Sequence, residues 1–263
     1  MTWHMGRRGD ERNGISRLLG FGLALIGFSA VPASSRPGMA ERACDRVVFE
    51  GDGFVVCRYA HRADRLRLLR RDKDGHPGSM AELEAALGAE ASQVRFAVNA
   101  GMYHPDYSPV GLYIANGRIE RPLERGDGAG NFYLRPNGVF WIDGDGQPHV
   151  HDTETFAAGG FHPYWATQSG PLLLDAGALH PAISENGPSR TLRNAVGIAD
   201  GQALFVISEG SVSFGRLARF LRDRLGCRDA LYLDGTVSSL WAPELGRKDR
   251  RADLGTFLVV LRR

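Results

Sequence analysis

The sequence is poor in cysteine and lacks the motifs that usually give cysteine a chemical role. It contains three cysteines, Cys44, Cys57 and Cys227, and no Cys-x-x-C pair. A zinc ribbon and a thioredoxin-type redox site are therefore excluded, because both depend on such pairs. No histidine lies near Cys227 in the sequence. We therefore expect Cys227 to be a buried thiol and not a nucleophile.

An excess of charge of either sign is also missing. The chain has 32 basic and 30 acidic side chains, which gives a formal net charge of +2. Residues 1–33 hold four arginines and two acids, so the rest of the chain is neutral and has no basic block. Nucleic-acid binding depends on a concentration of positive charge, and we therefore expect no nucleic-acid partner.

Long hydrophobic runs are scarce as well. The apolar run Leu18–Val31 is about 14 residues long, whereas a membrane-spanning helix needs about 20. A basic segment ending at Arg17 precedes this run, and Val31-Pro32-Ala33 supplies the small residues of a signal-peptidase site. The pattern predicts a signal peptide over residues 1–33, with an uncleaved anchor as the alternative. We expect a periplasmic or secreted protein with no stable membrane insertion.

Turn-forming residues are abundant in the remainder of the chain. The 34 glycines and 13 prolines separate short apolar segments. So many turn-forming residues argue against a helical bundle. The segments Ser79–Gly88 and Phe214–Leu225 have helical spacing. Predicted hairpins include Leu112–Ile119, with an Asn-Gly turn, and Asn131–Leu134 paired with Val139–Ile142. The sequence thus predicts an α+β fold: one domain over residues 40–263, with a mixed β-sheet, many hairpins and few helices.

A further hairpin brings two of the cysteines together. The segment from Cys44 to Cys57 is predicted to be two short strands around Glu50-Gly51-Asp52-Gly53. In that arrangement the two cysteines lie nearly opposite each other at the open end. In an oxidising compartment we expect them to form a structural disulfide.

Polar groups follow or precede apolar strands in four places. These are Asn99-Ala100-Gly101, Gln168-Ser169-Gly170, Arg193-Asn194, and the segment from Asp234 to Ser239. Functional residues are commonly placed at such strand ends. Each segment alone also fits a turn, a cap or a solvated edge charge.

The order of the four segments resembles that of the phosphodiester glycosidase family. Asn99-Ala100-Gly101-Met102-Tyr103 is similar to the family's Asn-Gly-Gly-Phe-Phe, and Arg193-Asn194-Ala195-Val196-Gly197 is similar to its Arg-Thr-Ala-hydrophobic-Gly. Leu233-Asp234-Gly235 resembles the start of Leu-Asp-Gly-Gly-Gly-Ser, although Thr236-Val237 stands in place of Gly-Gly. The resemblance extends over most of the chain after residue 33 and includes exported bacterial members of the family.

The resemblance implies cleavage of a sugar–phosphate bond at the anomeric carbon. A phosphate monoester has a second pKa of about 6, so it departs as an anion with little need for an acid. A guanidinium suits phosphate oxygens, and Arg193 is the candidate. Asp234 is the candidate carboxylate at the sugar, with Glu209 as the second choice. The expected substrate-binding residues are Asn99, Gly101, Ser169, Gly170, Asn194, Gly235, Thr236 and Ser238. No cofactor is expected.

Some alternatives stay open from the sequence. His149 and His151 alternate along a predicted strand before Asp152, which fits either a metal site or a surface strand. The loops His104–Tyr107 and His162–Trp165 either stack on sugar rings or pack over the sheet. Besides a hydrolase acting on a glycosyl phosphate, two other functions fit the sequence. They are a non-catalytic module that binds cell-envelope glycans and a metal-dependent phosphodiesterase.

Overall fold

Short strands make up most of the structure. A computed structural model of the protein describes residues 42–71, 78–235, 237–250 and 253–263. The predicted signal peptide and Thr236 lie outside the described residues. The strands are Cys44–Phe49 (β1), Asp52–Tyr59 (β2), Asp64–Arg70 (β3), Val94–Asn99 (β4), Tyr113–Ala115 (β5), Arg118–Arg121 (β6), Gly138–Ile142 (β7), Pro148–Asp152 (β8), Trp165–Ser169 (β9), Leu172–Asp175 (β10), Ala178–Leu179 (β11), Asn194–Ala199 (β12), Gln202–Ser208 (β13), Asp229–Tyr232 (β14), Leu240–Ala242 (β15), Arg247–Lys248 (β16) and Thr256–Arg262 (β17).

The strands form three antiparallel sheets. The first sheet has the order β1-β2-β13-β12-β14-β10-β11, the second β16-β15-β4-β17-β3, and the third β6-β5-β9-β7-β8. The helices of the described residues are Met80–Leu87 (α1), Thr153–Ala158 (α2) and Phe214–Arg219 (α3). The predicted class is confirmed, because a single domain rich in hairpins carries few helices. The expected mixed sheet is not seen among the described residues, where three sheets form and the strands pair antiparallel.

A central apolar core joins the three sheets, and each sheet also covers a smaller cluster on its other face. The central core draws side chains from all three sheets, including Phe96, Phe140 and Phe205. The first sheet packs its second face against α3. The second sheet packs against α1. This arrangement leaves the ends of the strands, and the loops that follow them, as the places where polar side chains meet.

The predicted disulfide is present. β1 and β2 pair with Cys44 directly opposite Cys57, and the two sulfur atoms are bonded. Glu50 and Gly51 form the turn with φ of 48° and 83°, which suits a tight hairpin of right-handed twist. Cys227 is the free cysteine of the described residues, and burial raises the pKa of its thiol to about 12. This thiol is therefore not ionised at neutral pH.

Loss of the disulfide is expected to lower the free energy of unfolding by about 2–3 kcal/mol, because the bond constrains the unfolded chain. Urea denaturation of the oxidised protein and of the Cys44→Ser/Cys57→Ser variant would measure this difference. Reductant should destabilise the first protein and leave the variant unchanged. Alkylation of both thiols in folded protein prepared under oxidising conditions would contradict the assignment.

The hairpin predicted for Asn131–Leu134 and Val139–Ile142 is wrong. Asn131–Tyr133 form a turn of 3-10 helix, and Gly138–Ile142 pair with β8 and β9 instead. The side-chain amide of Asn137 donates to the Phe132 carbonyl (2.9 Å), so a side chain satisfies the polar group that a strand partner would have satisfied.

The expected second helix is present but changes its form. α3 begins after Ser213, whose hydroxyl accepts the Arg216 N–H, and the chain continues through Phe220–Arg224 as a π-helical segment. Buried Leu217, Phe220 and Leu221 keep the apolar face against the first sheet. Within the part of the chain that the structure describes, no helix is both long and apolar enough to cross a membrane.

Candidate functional site

Three of the predicted residues meet where β4, β12 and β14 approach each other. Asn99 is the last residue of β4, Asn194 is the first of β12, and Asp234 follows β14. Because β12 and β14 run antiparallel, the start of one lies beside the end of the other. The Asn99 amide nitrogen donates to the Asp234 carbonyl (2.6 Å), and the Asn194 amide donates to Asn99 Oδ1 (3.0 Å). Three of the expected site residues thus lie together in the fold, and their role in binding or catalysis stays a prediction.

Asn99 is the centre of this network. Its Oδ1 also accepts the Ser239 N–H (2.9 Å), and the Asp234 N–H donates to the Ala100 carbonyl (3.2 Å). Asn99 and Asn194 are 1% and 2% exposed, whereas Asp234 is partly exposed. The two asparagines therefore hold the turn, and Asp234 is the member of the network that reaches the surface.

The segment after β9 joins the same region. The Pro171 carbonyl accepts the Tyr232 N–H (3.0 Å), which places Ser169 and Gly170 beside the end of β14. Ser169 is fully buried. Three buried side-chain atoms among the described residues have no hydrogen-bond partner: Ser169 Oγ, Asn194 Oδ1 and His180 Nε2. Two of the three belong to the predicted site, where unpaired buried groups are expected of a ligand-binding region.

Arg193 is enclosed by protein. The residue is 1% exposed, and its guanidinium donates to the carbonyls of Val212 (2.8 Å) and Ser189 (3.0 Å). The guanidinium also stacks on the Phe214 ring at 3.6 Å. Burial lowers the pKa of Arg193, and among the described residues no carboxylate pairs with this cation. A buried charge usually has an ionic partner, so Arg193 is a positive charge that no carboxylate of the described residues compensates.

Tyr232 connects Arg193 to the turn that contains Asp234. The guanidinium of Arg193 and the N–H of Gly235 both interact with the Tyr232 phenol. A Cβ on Gly235 would lie 1.9 Å from the phenol oxygen, so this position requires glycine for the close approach. Burial raises the pKa of Tyr232, Arg193 lowers it, and the charge of Asp234 raises it again.

Tyr232 was not predicted as a site residue, although the sequence carries a signal for it. Tyr232 is a residue with a polar hydroxyl at the end of an apolar strand, two positions before Asp234. Tyr103 is a second missed neighbour. Burial, followed by the charge of Asp234, raises the pKa of Tyr103 to about 12, and its hydroxyl donates to the Asp253 carbonyl (2.5 Å).

Glu209 and Ser238 lie at a neighbouring opening. Both line a cavity of about 270 Å³, together with Leu192, Ser208 and Arg247. Glu209 is exposed and forms an ion pair with Arg46 (3.1 Å). The Ser238 hydroxyl donates to the Gly235 carbonyl (2.7 Å), so it is engaged in the turn that follows Asp234.

The three predicted glycines pack against protein atoms. A Cβ on Gly101 would lie 2.6 Å from the Gln168 carbonyl oxygen, and one on Gly170 would lie 2.5 Å from the Phe132 carbonyl oxygen. Gly235 faces Tyr232 in the same way. The expectation was that these glycines admit a ligand to the backbone. In the structure their missing side chains let neighbouring segments of this chain approach closely, and their role towards a ligand stays a prediction.

The side chains of His149, His151 and Asp152 make contacts within the protein. His149 bonds to Asp143 (3.1 Å), and His151 accepts from the Trp141 indole (3.2 Å). The Asp152 carboxylate caps α2 by accepting the Glu154 and Thr155 N–H groups. No group of three or more potential metal-ligating side chains occurs among the described residues.

The two Pro-containing loops differ in how much aromatic surface they leave uncovered. Arg71 covers the Tyr107 ring at 4.0 Å, and the Tyr107 hydroxyl donates to Asp253 (3.1 Å). Trp165 is buried in the central core. Tyr164 is 48% exposed and lines a separate cavity of about 410 Å³. Tyr164 is thus the ring that remains open for contact in these loops.

The fold and the ordered strand-end residues place the protein in a defined class. A sequence profile of the phosphodiester glycosidase family matches residues 92–260, a range that contains every predicted catalytic residue. The chain belongs to the phosphodiester glycosidase family.

Individual relatives agree with this assignment. Protein YigE of Escherichia coli K12 is 35% identical over 180 residues, which cover 68% of this chain and 70% of YigE. The catalytic domain of zebrafish N-acetylglucosamine-1-phosphodiester alpha-N-acetylglucosaminidase has a TM-score of 0.54 at 15% identity, covering 84% of this chain and 82% of that chain. An exported protein from Burkholderia pseudomallei K96243 has a TM-score of 0.54 at 12% identity, covering 80% of this chain and 74% of that chain. The two structures show a shared fold.

Proposed function

We propose that the protein is an exported hydrolase that cleaves a glycosyl phosphodiester at the anomeric carbon. The observation that carries the proposal is the network that joins Asn99, Asn194 and the partly exposed Asp234. Arg193, the neighbour of Asn194 in the chain, is a buried guanidinium that pairs with no carboxylate among the described residues. Membership of the phosphodiester glycosidase family supports the same reaction class. The zebrafish relative is named for an activity on an N-acetylglucosamine phosphodiester, and we extend the phosphodiester class, without the particular sugar, to this chain.

Arg193 favours an anionic substrate without touching it. A cation surrounded by protein acts through a low dielectric, so its potential extends further than that of a solvated charge. The guanidinium is fixed by the Val212 and Ser189 carbonyls and cannot swing towards solvent without breaking both hydrogen bonds. We infer that a phosphodiester binds at the surface above Arg193, near Asp234, and that the substrate is a glycosyl phosphate or a cell-envelope glycan.

Asp234 supplies the carboxylate at the sugar. The carboxylate either attacks the anomeric carbon and is later displaced by water, or removes a proton from the attacking water. In both cases the bond between the anomeric carbon and the phosphate oxygen breaks, and its electron pair leaves with the phosphate. The leaving phosphate monoester is stable as an anion, so no strong acid is needed. The products are a free sugar and a phosphomonoester.

Hydrolysis in ¹⁸O-labelled water tests the proposal. The purified protein would be incubated with N-acetylglucosamine-1-phosphomannoside and related donors, with and without a chelator. The proposal expects ¹⁸O in the released sugar and a rate that does not depend on the chelator. Label in the phosphate together with chelator sensitivity would identify a metal-dependent phosphodiesterase. Binding without turnover would identify a glycan-binding module.

Export is part of the proposal, and its test is separate. The motivating features are the apolar run Leu18–Val31, the Cys44–Cys57 disulfide and the fold shared with an exported Burkholderia protein. We expect the protein isolated from its native host to begin near Ser34. N-terminal sequencing would measure this, and recovery of intact residues 1–33 would refute cleavage.

A further inference from the structure

Tyr232 lies between the two residues on which the proposed function depends. It is the last residue of β14 and is 1% exposed. Its ring packs edge-on against Phe214 at 4.7 Å, the same ring on which the Arg193 guanidinium stacks. Its phenol oxygen occupies the space that a side chain at Gly235 would fill. The phenol is therefore held on one side by Arg193 and on the other by the turn after Asp234.

The residues on both sides of the phenol act on it. The Arg193 guanidinium lies 5.5 Å from the centre of the Tyr232 ring, and the phenol oxygen lies against the backbone of Gly235. Arg193 and Gly235 lower the pKa of the phenol, and the charge of Asp234 raises it.

Arg193 is held in place away from the surface. Its guanidinium is bound by the carbonyls of Val212 and Ser189 and is shielded from solvent. A Cβ on Gly235 would lie 2.9 Å from the Leu192 carbonyl oxygen as well as 1.9 Å from the phenol oxygen, so the turn after Asp234 packs closely against both.

We propose that Tyr232 is a positioning residue whose hydroxyl joins the buried Arg193 to the Asp234–Gly235 turn and holds the Asp234 carboxylate for reaction. The kinetic consequence rests on the proposed function, whereas the positioning is a property of the fold. Tyr232 is buried and does not touch the substrate. Its loss should therefore act on turnover and leave substrate binding unchanged.

Tyr232→Phe removes one oxygen atom and keeps the ring. We expect kcat to fall by about 10- to 100-fold, the usual effect of losing a hydrogen bond to a charged group. KM should stay within about twofold, because the interaction with bound substrate is not changed. Tyr59→Phe is the matched control, since Tyr59 is equally buried and its hydroxyl donates to the Gly146 carbonyl (2.8 Å) outside the site. A purely structural role would lower the melting temperature of Tyr232→Phe and leave kcat unchanged.

A double-mutant cycle with Arg193→Met separates coupling from independent effects. If Arg193 acts through Tyr232, the double variant should turn over no more slowly than Arg193→Met alone. If the fold-loss of kcat in the double variant equals the product of the two single fold-losses, the two residues act independently and the proposed coupling is overturned. Gly235→Ala displaces the phenol oxygen from the other side, and we expect it to lower kcat as Tyr232→Phe does.

Hydrogen exchange tests the positioning without turnover. In Tyr232→Phe, exchange of peptides covering residues 235–240 should speed up by about tenfold, because the Gly235 N–H loses its acceptor. Exchange in β13 should stay unchanged. If the wild-type protein hydrolyses no glycosyl phosphodiester, the proposed function fails and the exchange data still decide the role of Tyr232. If wild type is active but Tyr232→Phe changes neither kcat nor exchange, the role of Tyr232 is refuted and the proposed function stands.

Discussion

Asp234→Asn is expected to lower kcat by about 10²–10⁴, the range for removal of an acid–base or nucleophilic carboxylate. The substitution keeps the size of the side chain and deletes its charge. It leaves the Asp234 carbonyl, which accepts from Asn99, in place. Affinity for the phosphomonoester product should therefore persist. Steady-state kinetics on a glycosyl phosphodiester and titration calorimetry with the product would measure the two quantities.

Asp200→Asn is the matched control for this variant. Asp200 precedes Gly201 in the turn after β12, so it also belongs to an Asp-Gly turn at a strand end, but it lies outside the network of Asn99. Its φ of 49° suits asparagine, and kcat should not change. Full activity of Asp234→Asn would mean that Asp234 shapes its turn without taking part in the reaction. Loss of activity in Glu209→Gln would then identify Glu209 as the carboxylate.

Arg193→Ala is expected to lower kcat/KM by about 10²–10³, the scale for loss of one electrostatic partner of the transition state. Arg193→Lys should recover part of this loss. A lysine restores the charge, but a single ammonium group cannot satisfy the Val212 and Ser189 carbonyls while also reaching Tyr232. Initial rates over a range of substrate concentrations would separate kcat from KM in both variants.

Arg190→Ala controls for the removal of an arginine from the same loop. Arg190 is exposed and pairs with Asp52 (3.2 Å), so its loss should affect neither stability nor turnover by much. Arg193→Ala removes one of the two donors to the Val212 carbonyl, which keeps the Thr191 N–H, and the donor to the carbonyl of exposed Ser189. Loss of these hydrogen bonds costs about 0.5–1.5 kcal/mol for each. Denaturation curves must therefore accompany the kinetics. Wild-type turnover by folded Arg193→Ala would contradict the assigned role of its charge.

The local features of the fold could be predicted because their causes are local. The turn at Asn116-Gly117 has φ of 51° and 73°, values that these two residue types adopt readily, and the hairpin between β5 and β6 follows from it. Ser79 accepts the Glu82 N–H and begins α1 as its sequence indicates. The wrong hairpin at Asn131–Leu134 has a non-local cause, because the partners of β7 come from β8 and β9.

The sequence identifies which segments contribute to the candidate site, but it does not tell which of their side chains face a ligand. Asn99, Asn194 and Asp234 follow from polar residues at strand ends and from the family's motif order. The position of Arg193 does not, because consecutive residues of a strand point to opposite faces. Asn194 turns towards Asn99, and Arg193 turns towards Phe214 and α3. A ligand can approach only the face of the sheet that other elements leave uncovered. The alternation of side chains along a strand does not tell which face that is.

The hydrogen bonds of Asn99 also constrain the order in which the protein can mature. They connect this residue to partners 95, 135 and 140 positions further along the chain. Closing such long loops is slow, and synthesis runs from the N-terminus at about 5–20 residues per second. A nascent chain that ends before residue 239 lacks the Ser239 N–H, one of the three partners of the Asn99 amide. The hairpins that flank Asn99 depend on closer neighbours in the chain, whereas the network around the Asp234 turn needs residues 194, 234 and 239 together. Incomplete chains therefore lack the closed network even when most of the sheet has formed.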